Sequence, residues 1–201
     1  MNRTRLKAAL LAPVAAASLA GCGINSIPTA EEEAKARWAD VQNQYQRRAD
    51  LIPNLVSTVQ GAAAQERNVL REVTEARANA TRIQISPEQL RDPEAMARFS
   101  EAQARLTSAI IPLQRLQEAY PDLKTNSNFL TLQSQLEGTE NRITIARTDY
   151  NQAVQAYNTR IRTFPDVIGA KVFYGAEPLV PFQATTPGAE AAPKVDFGTG
   201  K

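Results

Sequence analysis

"YQRRADLIPNLV", residues 45–56, sets a proline among charged side chains inside a segment whose flanks read as one long amphipathic helix. Stepping by sevens from Trp38 gives Tyr45, Ile52, Val59, Glu66, Val73 and Ala80. The companion positions are Val41, Arg48, Leu55, Ala62, Val69, Ala76 and Ile83. All but Glu66 and Arg48 are apolar, counting tyrosine as apolar, so the stripe is a packing seam. The phase survives Pro53, which an intervening loop of arbitrary length would not allow. Pro53 removes one backbone donor and crowds the carbonyl of Ala49, at about 3 kcal/mol in a regular helix, so the spacing predicts a kinked but continuous helix.

That first helix is predicted to start near Ala30. Thr29 and Glu32 have capping-box spacing, and Glu31, Glu32 and Glu33 suit the positive end of the helix dipole. A second helix is predicted from "DPEAM", with Asp92 as N-cap and Pro93 in the first turn, to about Tyr120, where Pro121 breaks it. Its apolar seam includes Met96, Phe99, Leu106, Ile110, Leu113 and Leu116. The third begins near Asn126 or Ser127 and carries Phe129, Leu136, Ile143, Tyr150, Tyr157 and Phe164 at strict sevens before "FPD". "AKVFYG", residues 170–175, reads equally as a strand or a short fourth helical segment. Short links between long helices predict an all-α, antiparallel up-and-down bundle of three long helices, the first kinked at Pro53. Pro53 and Pro112 both interrupt the seam that a bare coiled-coil dimer would need.

The ends have different compositions. Arg3, Arg5 and Lys7 precede an apolar run over residues 8–20, the pattern of a secretory signal, and the run is short of the about 20 residues that span a bilayer. It closes on "LAGC", which resembles the bacterial lipobox. Residues 1–21 then form a lipoprotein signal peptide, and Cys22, the single cysteine, is the lipidation site. Acylation by two or more chains would give stable anchoring to a lipid bilayer, the first predicted partner. Residues 22–29 are the lipidated tether; its "GINSIP" reaches roughly 20 Å when extended, which keeps the bundle near the membrane. Gly23 follows the cysteine where inner-membrane lipoproteins often carry Asp, so in a diderm the periplasmic face of the outer membrane is favoured. Residues 30–177 form the bundle. Residues 178–201, rich in Pro, Gly, Ala and Thr, are predicted to be a disordered tail.

The sequence resembles the LemA family. The resemblance rests on "YQRRADLIPNLVSTVQGAAAQERNVLREVTEARA", on "YPDLKTNSNFLTLQSQLEGTENRITIARTDYNQAVQAYNTRIRTFP" and on "AKVFYG". It implies a helical bundle, described for the family as four helices, held at a membrane by its N-terminus. Many relatives use a transmembrane segment where this chain has "LAGC". The family brings no established activity or catalytic residues, and its members are associated with envelope proteins, including membrane metallopeptidases.

The chain contains no histidine, which excludes histidine-based acid–base catalysis, Ser-His-Asp triads and histidine metal sites. Its nine glycines form no phosphate-binding loop, so no cofactor is predicted. The formal charge is +2, and loss of Arg3, Arg5 and Lys7 takes it to −1, which gives no general attraction for nucleic acid. Arg47, Arg48, Arg160 and Arg162 read as solvated helix faces, and membrane-surface binding through them would be redundant with the lipid.

Glu66 falls on a seam position, where an unpaired carboxylate is costly, and so needs a partner. If the chain reverses only near Pro87 and Leu123, the first and third helices run parallel. A Glu66–Arg147 pair joined by Glu140 is then predicted. The same arithmetic puts Arg48, Pro53 and Asn54 at the bundle's end, where an anchored stalk joins it. The sequence supports two functional readings: a non-enzymatic envelope lipoprotein offering its bundle to another envelope protein, or a ligand-binding or hydrolytic bundle using Glu66, Glu140 and Arg147.

Overall fold

The computed structural model describes residues 25–183, and Cys22 with the signal segment lies outside them. Among the described residues there is no strand. Four long helices carry the fold: α1 (Ser26–Ala62), α2 (Arg67–Arg82), α3 (Pro93–Ala119) and α5 (Ser127–Arg160). A short α4 (Pro121–Thr125) joins α3 to α5, and a 3-10 turn (Pro87–Arg91) precedes α3. After α5 come α6 (Asp166–Gly169) and a π-helical turn (Ala170–Tyr174), so "AKVFYG" is helical rather than extended.

The predicted cap of α3 forms, and α5 starts on one of the same kind. Asp92 Oδ1 accepts from the backbone N–H groups of Glu94 and Ala95 at 2.9 and 3.2 Å, and Asn126 Oδ1 does the same for Asn128 and Phe129 at 3.0 and 3.1 Å. The first helix differs. It starts at Ser26, and Thr29 donates to the Asn25 carbonyl instead of closing a capping box with Glu32.

The largest departure is a reversal at residues 63–66, just after Gly61. Ala63 leaves the helical region at φ −135° and ψ 52°, and α2 folds back along α1. Burial explains the reversal. One unbroken helix would leave Leu70 and Val73 far beyond any partner; folded back, they join Ile52, Leu55, Val59, Leu106 and Leu113 in a shared apolar cluster.

The extra reversal inverts the direction of every later helix, so α1 and α5 are antiparallel rather than parallel. Arg48 meets Glu140 and Trp38 meets Tyr150, pairs whose numbers add to the same total. The stretch at residues 45–56 therefore lies within the bundle and not at its end. Pro53 sits on the exposed face of an unbroken α1. The Ala49 carbonyl that it deprives of a helical donor accepts instead from Arg77 Nε on α2, at 2.7 Å.

The core is two apolar clusters. One surrounds Trp38, Tyr45, Phe99, Tyr150 and Phe182 toward the start of α1, and the other surrounds Ile52, Leu106, Leu113, Phe129 and Leu136 beyond it. Arg48 stands between them.

The composition of residues 178–183 predicts part of a disordered tail, and the structure corrects this. Gly175, at φ 54°, turns the chain back along α5, a conformation that costs glycine little. Asn158 then grips Leu179 through both its amide atoms, receiving the backbone N–H at 2.8 Å and donating to the carbonyl at 2.8 Å. Asn151 grips Phe182 in the same way at 2.7 and 2.9 Å. Tyr157 and Tyr150 donate to the carbonyls of Glu177 and Val180. The repeat is a matter of pitch: seven helical residues rise about 10.5 Å, and three extended residues span about 10 Å. "YN" at positions 150 and 157 thus meets the strap every third residue, and Leu179 and Phe182 are buried.

Candidate functional site

Arg48 is 1% exposed, the largest fully buried side chain in the described residues. Such a cation survives in a core only if its donors are matched. Four of the five guanidinium N–H groups are matched. Nη1 donates to Thr107 Oγ1 and to Glu140 Oε1, each at 2.9 Å. Nη2 donates to Gln103 Oε1 at 2.6 Å and to the Gln103 carbonyl at 3.2 Å. Gln103 in turn donates from Nε2 to the Ala80 carbonyl at 3.2 Å. The guanidinium carbon also lies 5.0 Å from the centre of the Tyr45 ring. One side chain on α1 thereby ties α3 and α5 directly, and α2 through Gln103, in a polar layer between the two apolar clusters.

Above this layer the bundle opens. A groove of about 1170 Å³ is lined by α2, α3 and α5, with Tyr45 and Arg48 at its floor and Phe182 of the strap at one end. Glu140, its side chain 41% exposed, and Thr107 are the parts of the polar layer that face this solvent-connected space. Arg147 is the neighbouring cation on α5, its guanidinium carbon 4.1 Å over the centre of the Phe182 ring. Burial pushes the Tyr45 hydroxyl pKa up against the opposing pull of Arg147 and Arg48, so it remains a neutral phenol in ordinary buffers. No group of three or more metal-ligating side chains gathers among the described residues.

The structure divides the predicted site residues. Arg48 and Glu140 come together, and Arg147 shares their groove. Glu66 does not. It occupies the N-cap position of α2 at the α1–α2 reversal, where the Tyr120 hydroxyl donates to its Oε1 at 2.8 Å. The predicted Glu66–Arg147 pair does not form, because it requires parallel α1 and α5. Acceptance by Glu66 raises the Tyr120 pKa. Asn54 faces outward, its carbonyl accepting from Thr58, and Pro53 lies beside it. Arg48, predicted to be partly exposed at the bundle's end, is instead the centre of the polar layer. Gln103, Thr107 and Arg77 carry no sign in the sequence, being polar residues at unremarkable helical positions. Asn151 and Asn158 carry a readable one in the repeated "YN", though it does not reveal the strap they hold.

A profile of the LemA family matches residues 37–197. Two magnetosome proteins of Paramagnetospirillum magneticum, MamQ 1 and MamQ 2, are each 24% identical to the chain over 157 residues, an alignment covering 70% of this chain and 58% of theirs. The chain therefore spans little more than half the length of those relatives. The family match takes in α1 from residue 37, the other three long helices, the polar layer and the strap, and on that extent the chain belongs to the LemA family.

Proposed function

We propose that this chain is a lipid-anchored protein of the cell envelope that acts without chemistry of its own, presenting the groove lined by α2, α3 and α5 to a segment of another envelope protein. The observation that carries this reading is the groove's size and the state of its floor. A cavity that encloses a small ligand is roughly 300–1,000 Å³ and mostly walled in. Here about 1170 Å³ lies open along the helices, and the charged group beneath it, Arg48, has four of its five donors spent on the bundle itself. Such a floor is suited to holding helices in register under a surface, more than to polarising a reacting atom. The reading of a hydrolytic site loses its third member, since Glu66 lies at the α1–α2 reversal.

Anchoring is supported by "LAGC" and by the basic and apolar residues ahead of it. No helix among the described residues is long and apolar enough to cross a membrane. In a diderm, Gly23 after the acylated cysteine favours the outer membrane.

The test is site-specific photocrosslinking in native membranes. A photoreactive residue at Thr144 or Ser108, on the groove, should capture one defined envelope protein, and the same residue at Glu33 or Gln152 should not. Equal capture from all four positions, or none from the groove, would remove the adaptor reading.

A further inference from the structure

Eight large apolar side chains are exposed among the described residues, and five of them fall within residues 164–174: Phe164, Ile168, Val172, Phe173 and Tyr174. Phe164 is 80% exposed and Phe173 is 66% exposed. Single exposed apolar residues are ordinary on protein surfaces, but a cluster of this density marks a contact surface. We propose that this cluster is a membrane-docking surface, seated in the headgroup region of the bilayer that holds the chain's N-terminal segment. The proposal rests on the lipid-anchored reading of the chain.

Three observations select a bilayer over a protein. The first is position. Ser26, the first residue of α1, donates from Oγ to Asp166 Oδ2 at 2.8 Å, and its carbonyl accepts from Arg160 Nη1 at 2.9 Å. A methyl group built on Gly169 would lie 3.6 Å from Ile27. The cluster and the start of α1 are therefore one end of the molecule.

The second is reach. Cys22 lies four residues before Ser26, which even fully extended is at most about 14 Å. An acyl chain on Cys22 holds this end, and not the far one, against lipid.

The third is composition. Arg160, Arg162 and Lys171 stand against Asp166 in the same stretch, a local excess of two positive charges beside phenylalanine and tyrosine. Aromatic rings with long basic side chains are the composition of the membrane interface, where the rings sit among headgroups and the cations reach phosphate. The basic residues that read from sequence as solvated face thereby gain a second role.

Docking also orients the bundle. With the start of α1 at the bilayer, Arg48 and the open groove stand roughly 30 Å from its surface at 1.5 Å per helical residue. A partner would then be met away from the lipid.

The test uses the full chain, reconstituted into vesicles of phosphatidylethanolamine and phosphatidylglycerol, in wild-type form and as Phe173→Trp. Flotation with the vesicles reports anchoring. Quenching by lipids brominated on the upper acyl chain reports the depth of the new indole, read as the difference from the wild type, whose Trp38 is buried. The expected result is co-flotation with at least a two-fold quench of the added emission and a shift to shorter wavelength. Co-flotation without quenching overturns docking and leaves anchoring standing. A shift to shorter wavelength without quenching also overturns docking, since a protein or a second copy would then cover the site. Failure to float overturns both readings. A second variant, Phe164→Trp, exposed and outside the helices, must give the same answer.

Discussion

The bond between Arg77 Nε and the Ala49 carbonyl makes a quantitative prediction about the proline in α1. Pro53 has no N–H to give to Ala49, and Arg77 supplies the missing donor from the facing helix at 2.7 Å. A hydrogen bond to a charged group is worth about 1.5–3 kcal/mol, and half-burial of Arg77 argues for the lower part of that range, about 1.5–2 kcal/mol. Arg77→Met keeps most of the aliphatic stem and removes the donor, so it should destabilise the bundle by that amount. With a urea dependence of about 1–3 kcal/mol per molar, the unfolding midpoint falls by roughly 0.5–2 M. In a Pro53→Ala background the new amide of residue 53 satisfies Ala49 locally, and the same substitution should cost less than about 0.5 kcal/mol. The coupling energy from the four-protein cycle is then about 1 kcal/mol. Pro53→Ala alone should gain less than the about 3 kcal/mol of an unassisted interior proline, because the carbonyl is already served. If Arg77→Met costs the same with proline or alanine at position 53, the two residues are independent and the reasoning is wrong.

Two further predictions concern the polar layer and the strap. Arg48→Ala should cost about 2–4 kcal/mol in denaturant unfolding, because it leaves a cavity and strands Gln103, whereas Glu140→Gln should cost no more than about 1 kcal/mol, since that carboxylate is hydrated from the groove; equal costs would place the ion pair itself at the centre of stability. Burial raises the hydroxyl pKa of Tyr45, Tyr150 and Tyr157. For an acid raised in the folded state, stability is fully present below the unfolded value, about 10 for tyrosine, and is lost as pH rises through the folded value. The melting temperature should therefore fall above about pH 10, less steeply in Tyr150→Phe, and a melting temperature that holds or rises to pH 11.5 would refute the assignment.

Where burial and local chemistry act together, the helices are legible in the chain. Asp92 before Pro93 and Asn126 before Ser127 mark helix starts because their side chains bond the first free amides, and both do so. The aromatic seam of α5 is legible for the same reason: Phe129, Leu136, Ile143, Tyr150 and Tyr157 recur at sevens, and all are buried. The strap is not, because its composition is that of a tail. What orders residues 178–183 is a row of side-chain amides and hydroxyls on another helix, and the composition of the segment itself carries no record of it.

The reversal at residues 63–66 is the instructive failure, because the seam passes through it without losing phase. Val59 is the last buried position inside α1 and Leu70 the first in α2, eleven residues apart, close to three helical turns of 3.6 residues. Apolar spacing reports which face of a helix is buried and is blind to a fold-back that conserves that face. The only local signs are Gly61 and the alanines at 62–64, which bring little to a seam whether it continues or turns. Missing one reversal inverts every later helix relative to the first, and that alone carries Arg147 to Glu66 and separates Arg48 from Glu140. A buried charge can therefore be read from sequence as needing a counterpart, but the counterpart is fixed by the parity of the turns between them. In this chain, one four-residue turn decides whether the guanidinium of Arg48 lies at the bundle's frayed end or is the polar layer on which α3 and α5 are aligned.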